Sequence, residues 1–153
     1  MGMAALFAFL HHVSAFTLFA AIVVEFALIR STLTVENARK ILLYDMILGI
    51  SALVLLLVGL LRVFYFEKGA AYYFHSIPFI AKLSLFAAIG LLSIYPTRQF
   101  LSWRPALRQG VPPTVDPARL NSLRRVTHWE LALGVVLILC AALMARGIGY
   151  VGA

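Results

Sequence analysis

Six basic side chains stand in or at the ends of strongly apolar runs: His11, His12, Arg62, His75, Lys82 and Arg146. An ionisable group inside a bilayer costs about 2.5–3.5 kcal/mol on insertion scales, so it persists chiefly where it pairs or serves a ligand. Counted along helices that rise about 1.5 Å per residue, all six fall within about two turns of one membrane surface. Apart from Glu67 in the adjoining loop, that layer has no carboxylate. Imidazoles beside cations call for an anionic guest, and haem b meets that demand. His11 or His12 would ligate the iron, Lys82 or His75 would stand opposite, and Arg62 and Arg146 would neutralise the propionates. On a helical wheel residues 11, 14, 18, 21 and 25 share one stripe, which turns His11 inward and His12 toward another helix or the interface.

A second ionisable layer lies near the opposite surface and has a different character: Glu25, Arg30, Asp45, His128 and Glu130. Here the acids can meet bases at similar depth, Arg30, Arg124, Arg125 or His128, so structural ion pairs are expected. A proton relay through Glu25 or Glu130 is the functional alternative. Cys140 is the single cysteine and lies in an apolar run, so the chain can build neither an internal disulfide nor a thiolate metal cluster.

The elements that must position these groups follow from composition. Of 153 residues, 63% are hydrophobic and 12% charged, with mean hydropathy +0.96, about half the charge of a soluble domain. A span needs roughly 20 apolar residues. Four such stretches, at about 4–29, 44–65, 77–95 and 126–145, take up most of the chain. Residues 1–10 contain no Lys or Arg, so the first stretch reads as a helix and not a cleaved signal peptide. The expected fold class is all-α: an integral membrane four-helix bundle, up-down-up-down, with cofactor sites between facing side chains.

Nine of the 13 Lys and Arg residues, Arg30, Arg39, Lys40, Arg98, Arg104, Arg108, Arg119, Arg124 and Arg125, fall at the end that carries the first and third loops. The positive-inside rule makes that end cytoplasmic and both termini periplasmic. The net charge of +7 therefore reflects topology, with anionic phospholipid headgroups as the partner and no nucleic acid. In the first loop, Thr34 and Glu36 suggest a turn into a brief amphipathic helix before Asp45. The third loop, 96–125, is rich in proline and arginine, a composition that resists folding into a separate core. Tyr72, Tyr73 and Phe74 on one side and Trp103 and Trp129 on the other read as aromatic belts. Gly49, Ala52 and Gly59 on the second helix, and Gly134, Ala141 and Ala145 on the fourth, mark seams where backbones approach or a homo-oligomer could form.

The strings LHHVSAFTLFAAIVVEFALIR, GLLRVFYFEKGAAYYFHSIPFIAKLSLF, LLSIYPTRQFLSW and LMARGIG resemble an uncharacterised family of bacterial inner-membrane proteins, each a single four-helix unit. The resemblance covers almost the whole chain. Its motif positions here would be His11, His12, Glu25, Asp45, Arg62, Lys68, Gly69, Tyr73, Lys82, Pro96 and Arg146. More distantly, the chain is similar to the membrane-bound protoporphyrinogen oxidases of the HemJ type. That likeness implies a haem b site, with His11 matching the first-helix histidine, Lys82 the later lysine and Glu130 an acid in the last helix. Ile80 stands where that family carries a histidine, and Arg30 matches its helix-closing arginine loosely.

The leading expectation is a haem b-binding redox protein of the bacterial inner membrane, passing electrons to or from a quinone or a periplasmic partner. Two other classes compete. One is a small oligomeric transporter or channel subunit for an anionic solute, with Glu25 and Glu130 handling protons. The other is a ligand-free structural or assembly protein.

Overall fold

The computed structural model describes residues 2–66 and 69–151. Four long helices dominate it: α1 (Met3–Leu28), α2 (Val35–Leu61), α4 (Ile77–Ser102) and α6 (Pro117–Ala145). Two five-residue helices, α3 (Ala70–Phe74) and α5 (Arg104–Arg108), lie in the connections, and a π-helical turn, Arg62–Phe66, continues α2. Each long helix is long and apolar enough to cross a membrane. Glu67 and Lys68, with the loop placed around them, lie outside the described residues.

α1 packs on α2 and α6, and α4 packs on α6 and α2. Side-chain contacts fix which ends meet. Arg30, just past α1, donates to the Arg124 carbonyl near the start of α6 (2.7 Å). Thr97, late in α4, meets Asp45, early in α2 (2.6 Å). At the far end the Ile77 amide donates to the Gly149 carbonyl (3.0 Å), joining the start of α4 to the segment after α6. Apolar side chains crowd the outer surface, with Phe16 80% and Leu91 70% exposed. Only a lipid-like solvent makes such exposure affordable.

The helices reach further than their apolar runs. α2 begins at Val35 rather than near residue 44, because Thr34 accepts the Asn37 amide as an N-cap (3.1 Å) and Glu36 favours the positive end of the helix dipole. α6 begins at Pro117 rather than near 126, capped by Asp116. α4 continues through Pro96 to Ser102 instead of ending at 95. Proline is tolerated there because its ring is fully buried between helices.

These extensions bring 96–125 into a core that it shares with the end of α1 and the start of α2. Phe100, Trp103, Leu107 and Leu123 close on Ile29, Ala38 and Ile41 in one buried cluster. Trp103 is 5% exposed and belongs to that core and not to a belt, whereas Trp129 is 59% exposed. A second cluster, Leu18, Ala21, Ile22, Leu48 and Leu55, sits midway along α1 and α2. Of the glycines marked as seams, Gly59 and Gly134 are close approaches: a Cβ on Gly59 would lie 3.3 Å from His11 Cε1, and one on Gly134 2.8 Å from Phe19 Cζ. Gly49 has open space.

Candidate functional site

The histidine pair is resolved by the stripe that α1 buries. Glu25, Ala21 and Leu18 are buried and Ser14 half-buried on the same side, and this stripe carries His11 inward against the backbone of α2 at Gly59. His12 is exposed, and its Nδ1 donates to the Ala8 carbonyl one turn back (2.6 Å). That bond leaves Nε2 as the lone-pair nitrogen and points it away from the bundle. His75 repeats the pattern, exposed and donating from Nδ1 to the Ala71 carbonyl (2.6 Å). It caps α3 and lies outside α4, which begins at Ile77, so it does not share a helical face with Lys82. Arg146, the C-cap of α6, is exposed as well.

The inward members of this layer lie on α1, α2 and α4. Gly59 takes the His11 imidazole, and Arg62, three residues on and on the same face, opens the π-helical turn and is half-buried. Lys82, half-buried on α4, lies close enough for its charge to act on the Arg62 guanidinium. Among the described residues no carboxylate pairs with the Lys82 ammonium. A π-helical turn widens the helix by one residue and is a common device at functional sites. Here it also brings Phe66 onto Phe7 of α1, with ring centroids 4.6 Å apart.

An imidazole and two cations are the side-chain types that a haem-like group would use. Gly59 leaves the space that the α1 imidazole fills, Arg62 lies three residues on in α2, and Lys82 on α4 is close enough to Arg62 for their charges to interact. Leucine at Gly59 would drive the His11 ring out of that seat. Supporting residues of a metal ligand typically control its affinity about 10–100-fold, so Gly59→Leu is expected to weaken haem binding about tenfold in an optical titration. Gly49→Leu, facing open space, is expected to leave it unchanged.

The opposite layer differs from its expected form. Glu25, Asp45 and Glu130, contributed by α1, α2 and α6, are 2%, 8% and 2% exposed and face one another, not bases. The Glu130 carboxylate accepts from the Ser93 hydroxyl (2.6 Å) and the Asp45 carboxylate from the Thr97 hydroxyl (2.6 Å), both on α4. Glu25 Oε2 is buried with no hydrogen-bond partner among the described residues.

The bases satisfy backbone carbonyls instead. Arg30 reaches Phe26 O (3.0 Å) and Arg124 O, and Arg124 Nε reaches Ile29 O (3.1 Å). His128 is exposed beside Trp129. The ion pairs expected here do not form among the described residues, because the arginines lie at the helix ends, where orphan carbonyls outcompete side chains buried further in. Sequence reading missed Ser93 and Thr97, since isolated hydroxyls in apolar helices give no signal until the helices are in register.

Thr97→Val removes the hydrogen bond found for buried Asp45, and a buried acceptor left unsatisfied costs about 1–3 kcal/mol. Unfolding in mixed detergent and dodecyl sulfate micelles is expected to show that loss. Thr17→Val, whose hydroxyl bonds only the carbonyl of its own helix, is expected to show much less.

A family model described as "Predicted membrane protein (DUF2214)" matches residues 3–149, and the chain belongs to that family. No curated protein and no solved structure matches the chain.

Proposed function

We propose that this member of the family is a haem b-binding redox protein of the bacterial inner membrane, an up-down-up-down bundle with both termini periplasmic, exchanging electrons with a quinone or a periplasmic partner. The observation that carries the reading is His11 seated against Gly59 of α2, with Arg62 three residues on and close enough to Lys82 for their charges to interact, at the end that bears few basic residues. Haem b, when bound, supplies one-electron redox chemistry at the depth of this layer.

The chain's own residues do the rest. His11 offers an imidazole seated against Gly59. Arg62 and Lys82 neutralise carboxylates that would otherwise enter the bilayer uncompensated, and they do so near the surface toward which propionates point. Apolar side chains around the layer exclude water and raise the worth of each of these contacts. His12 and His75 are exposed, which favours His11 as the imidazole that would hold the iron. Arg146, at the rim, is placed to attract an acidic partner.

The test is a quinol reduction assay. Protein expressed with a haem precursor and purified in detergent is expected to show a Soret band that shifts on adding a reduced quinone analogue. A folded, colourless protein would remove the reading.

The inner carboxyl layer favours a second reading, a small oligomeric subunit that moves an anionic solute with protons. Acids from three helices that face one another, with hydroxyls from a fourth, have the groups a proton relay needs. Pyranine-loaded liposomes distinguish the two. Proton uptake driven by an anion gradient in colourless protein supports transport, and its absence in haem-loaded protein supports electron transfer.

A further inference from the structure

The basic end carries a cleft that neither layer uses. It measures about 360 Å³ and is lined by Arg30, Asn121, Arg124, Arg125, His128 and Trp129, so it lies between the end of α1 and the first turns of α6. Its lining has no carboxylate, and none of the three arginines pairs with one among the described residues.

The guanidiniums are held in place on one side. Arg30 stacks on the Phe26 ring at 3.6 Å and donates to the Phe26 and Arg124 carbonyls, while Arg124 donates to the Ile29 carbonyl. A guanidinium has five N–H donors, so each keeps donors beyond those bonds. Burial, and then the Arg124 charge beside it, lower the Arg30 guanidinium below the usual arginine value. Like charges crowded in this way are relieved by an anion.

The occupant is a lipid and not a free ion because of what borders the cleft. Trp129, 59% exposed, stands at its edge, in the position aromatic belts take at the headgroup level. Below it on α6, Val135, Val136, Ile138 and Leu139 are each exposed by 45% or more, an apolar surface along which acyl chains can lie. Basic pockets beside membrane-spanning helices on the cytoplasmic side suit anionic headgroups.

We infer that this cleft binds the phosphate of an anionic phospholipid, gripped by Arg30, Arg124 and Arg125, with His128 and Trp129 against the headgroup and the acyl chains on α6. Asn121 adds a neutral donor. The site is independent of the haem reading, since it lies at the opposite end of the bundle.

The experiment titrates detergent-purified protein with short-chain phosphatidylglycerol, phosphatidylcholine and inorganic phosphate, reading bound lipid by native mass spectrometry and melting temperature in parallel. Phosphatidylglycerol is expected to bind and raise the melting temperature, phosphatidylcholine to bind at least about tenfold more weakly, and phosphate alone to do neither. Each arginine contact near the surface is worth about 1 kcal/mol, so Arg125→Gln is expected to weaken phosphatidylglycerol about fivefold. Among the described residues Arg125 bonds Ser122 alone, at 3.5 Å, so this substitution is expected to leave the fold intact. Arg119→Gln, exposed and outside the cleft, is expected to change nothing. The inference is overturned if phosphatidylcholine binds as well, if inorganic phosphate reproduces the stabilisation, or if Arg119→Gln weakens binding as much as Arg125→Gln.

Discussion

His11→Ala is expected to abolish the haem spectrum while leaving the protein folded. The imidazole is the one histidine of the outer layer that turns into the bundle, packed where Gly59 leaves room for it. In the proposed site its removal would delete the nitrogen that holds the iron and leave a methyl group that cannot coordinate it. His12→Ala is expected to keep the spectrum, because its Nδ1 is bound to its own helix and its ring is exposed. Lys82→Met is expected to retain a weakened and shifted Soret band, since a cation is lost but the imidazole remains. The check is a set of absorbance spectra of the three variants at equal protein concentration, with circular dichroism confirming helix content. Equal loss in His11→Ala and His12→Ala would show that orientation of the ring has no bearing on binding.

Phe100→Ala is expected to cost about 3–5 kcal/mol, the range for deleting a fully buried aromatic side chain. Phe100 is 0% exposed at the centre of the basic-end core, its ring 4.9 Å from that of Trp103. It ties the end of α4 to Ile29 after α1, to Ala38 and Ile41 of α2 and to Leu123 of α6. The cavity left behind therefore touches all four long helices or their continuations. Unfolding in mixed micelles, followed by circular dichroism, is the measurement, with Ile94→Ala, half exposed on the same helix, as a control expected to lose under about 1 kcal/mol.

The apolar runs announced four helices because lipid imposes the same requirement on any sequence that crosses it. About 20 consecutive apolar residues have no other use of that length in a chain this short. Helix ends were less legible for a physical reason. Hydropathy reports where lipid begins, whereas Thr34 and Asp116 cap helices that start beyond it. The capping residues were visible in the sequence, and extending α2 back to Thr34 required weighing that cap above the charged residues between it and Asp45.

The part that the third loop plays in the shared core is not legible in composition. Proline and arginine counts say nothing about Phe100, Trp103, Leu107 and Leu123, which are spaced to meet once α4 and α6 extend. At the site, periodicity was enough to turn His11 inward, because α1 buries one stripe throughout. It could not settle Glu25, Asp45 and Glu130. Depth alone placed them beside arginines, and only the register of α4 shows that Ser93 and Thr97 reach the acids first.

The proposed haem b site occupies the half of the bundle that holds His11, Arg62 and Lys82. The most direct measurement is the amount of haem per chain in the purified wild-type protein, determined as the pyridine haemochromogen against amino-acid analysis. A fixed, stoichiometric content of non-covalent haem b is the predicted result. A well-folded protein, expressed with ample haem precursor and carrying only trace haem, would contradict it.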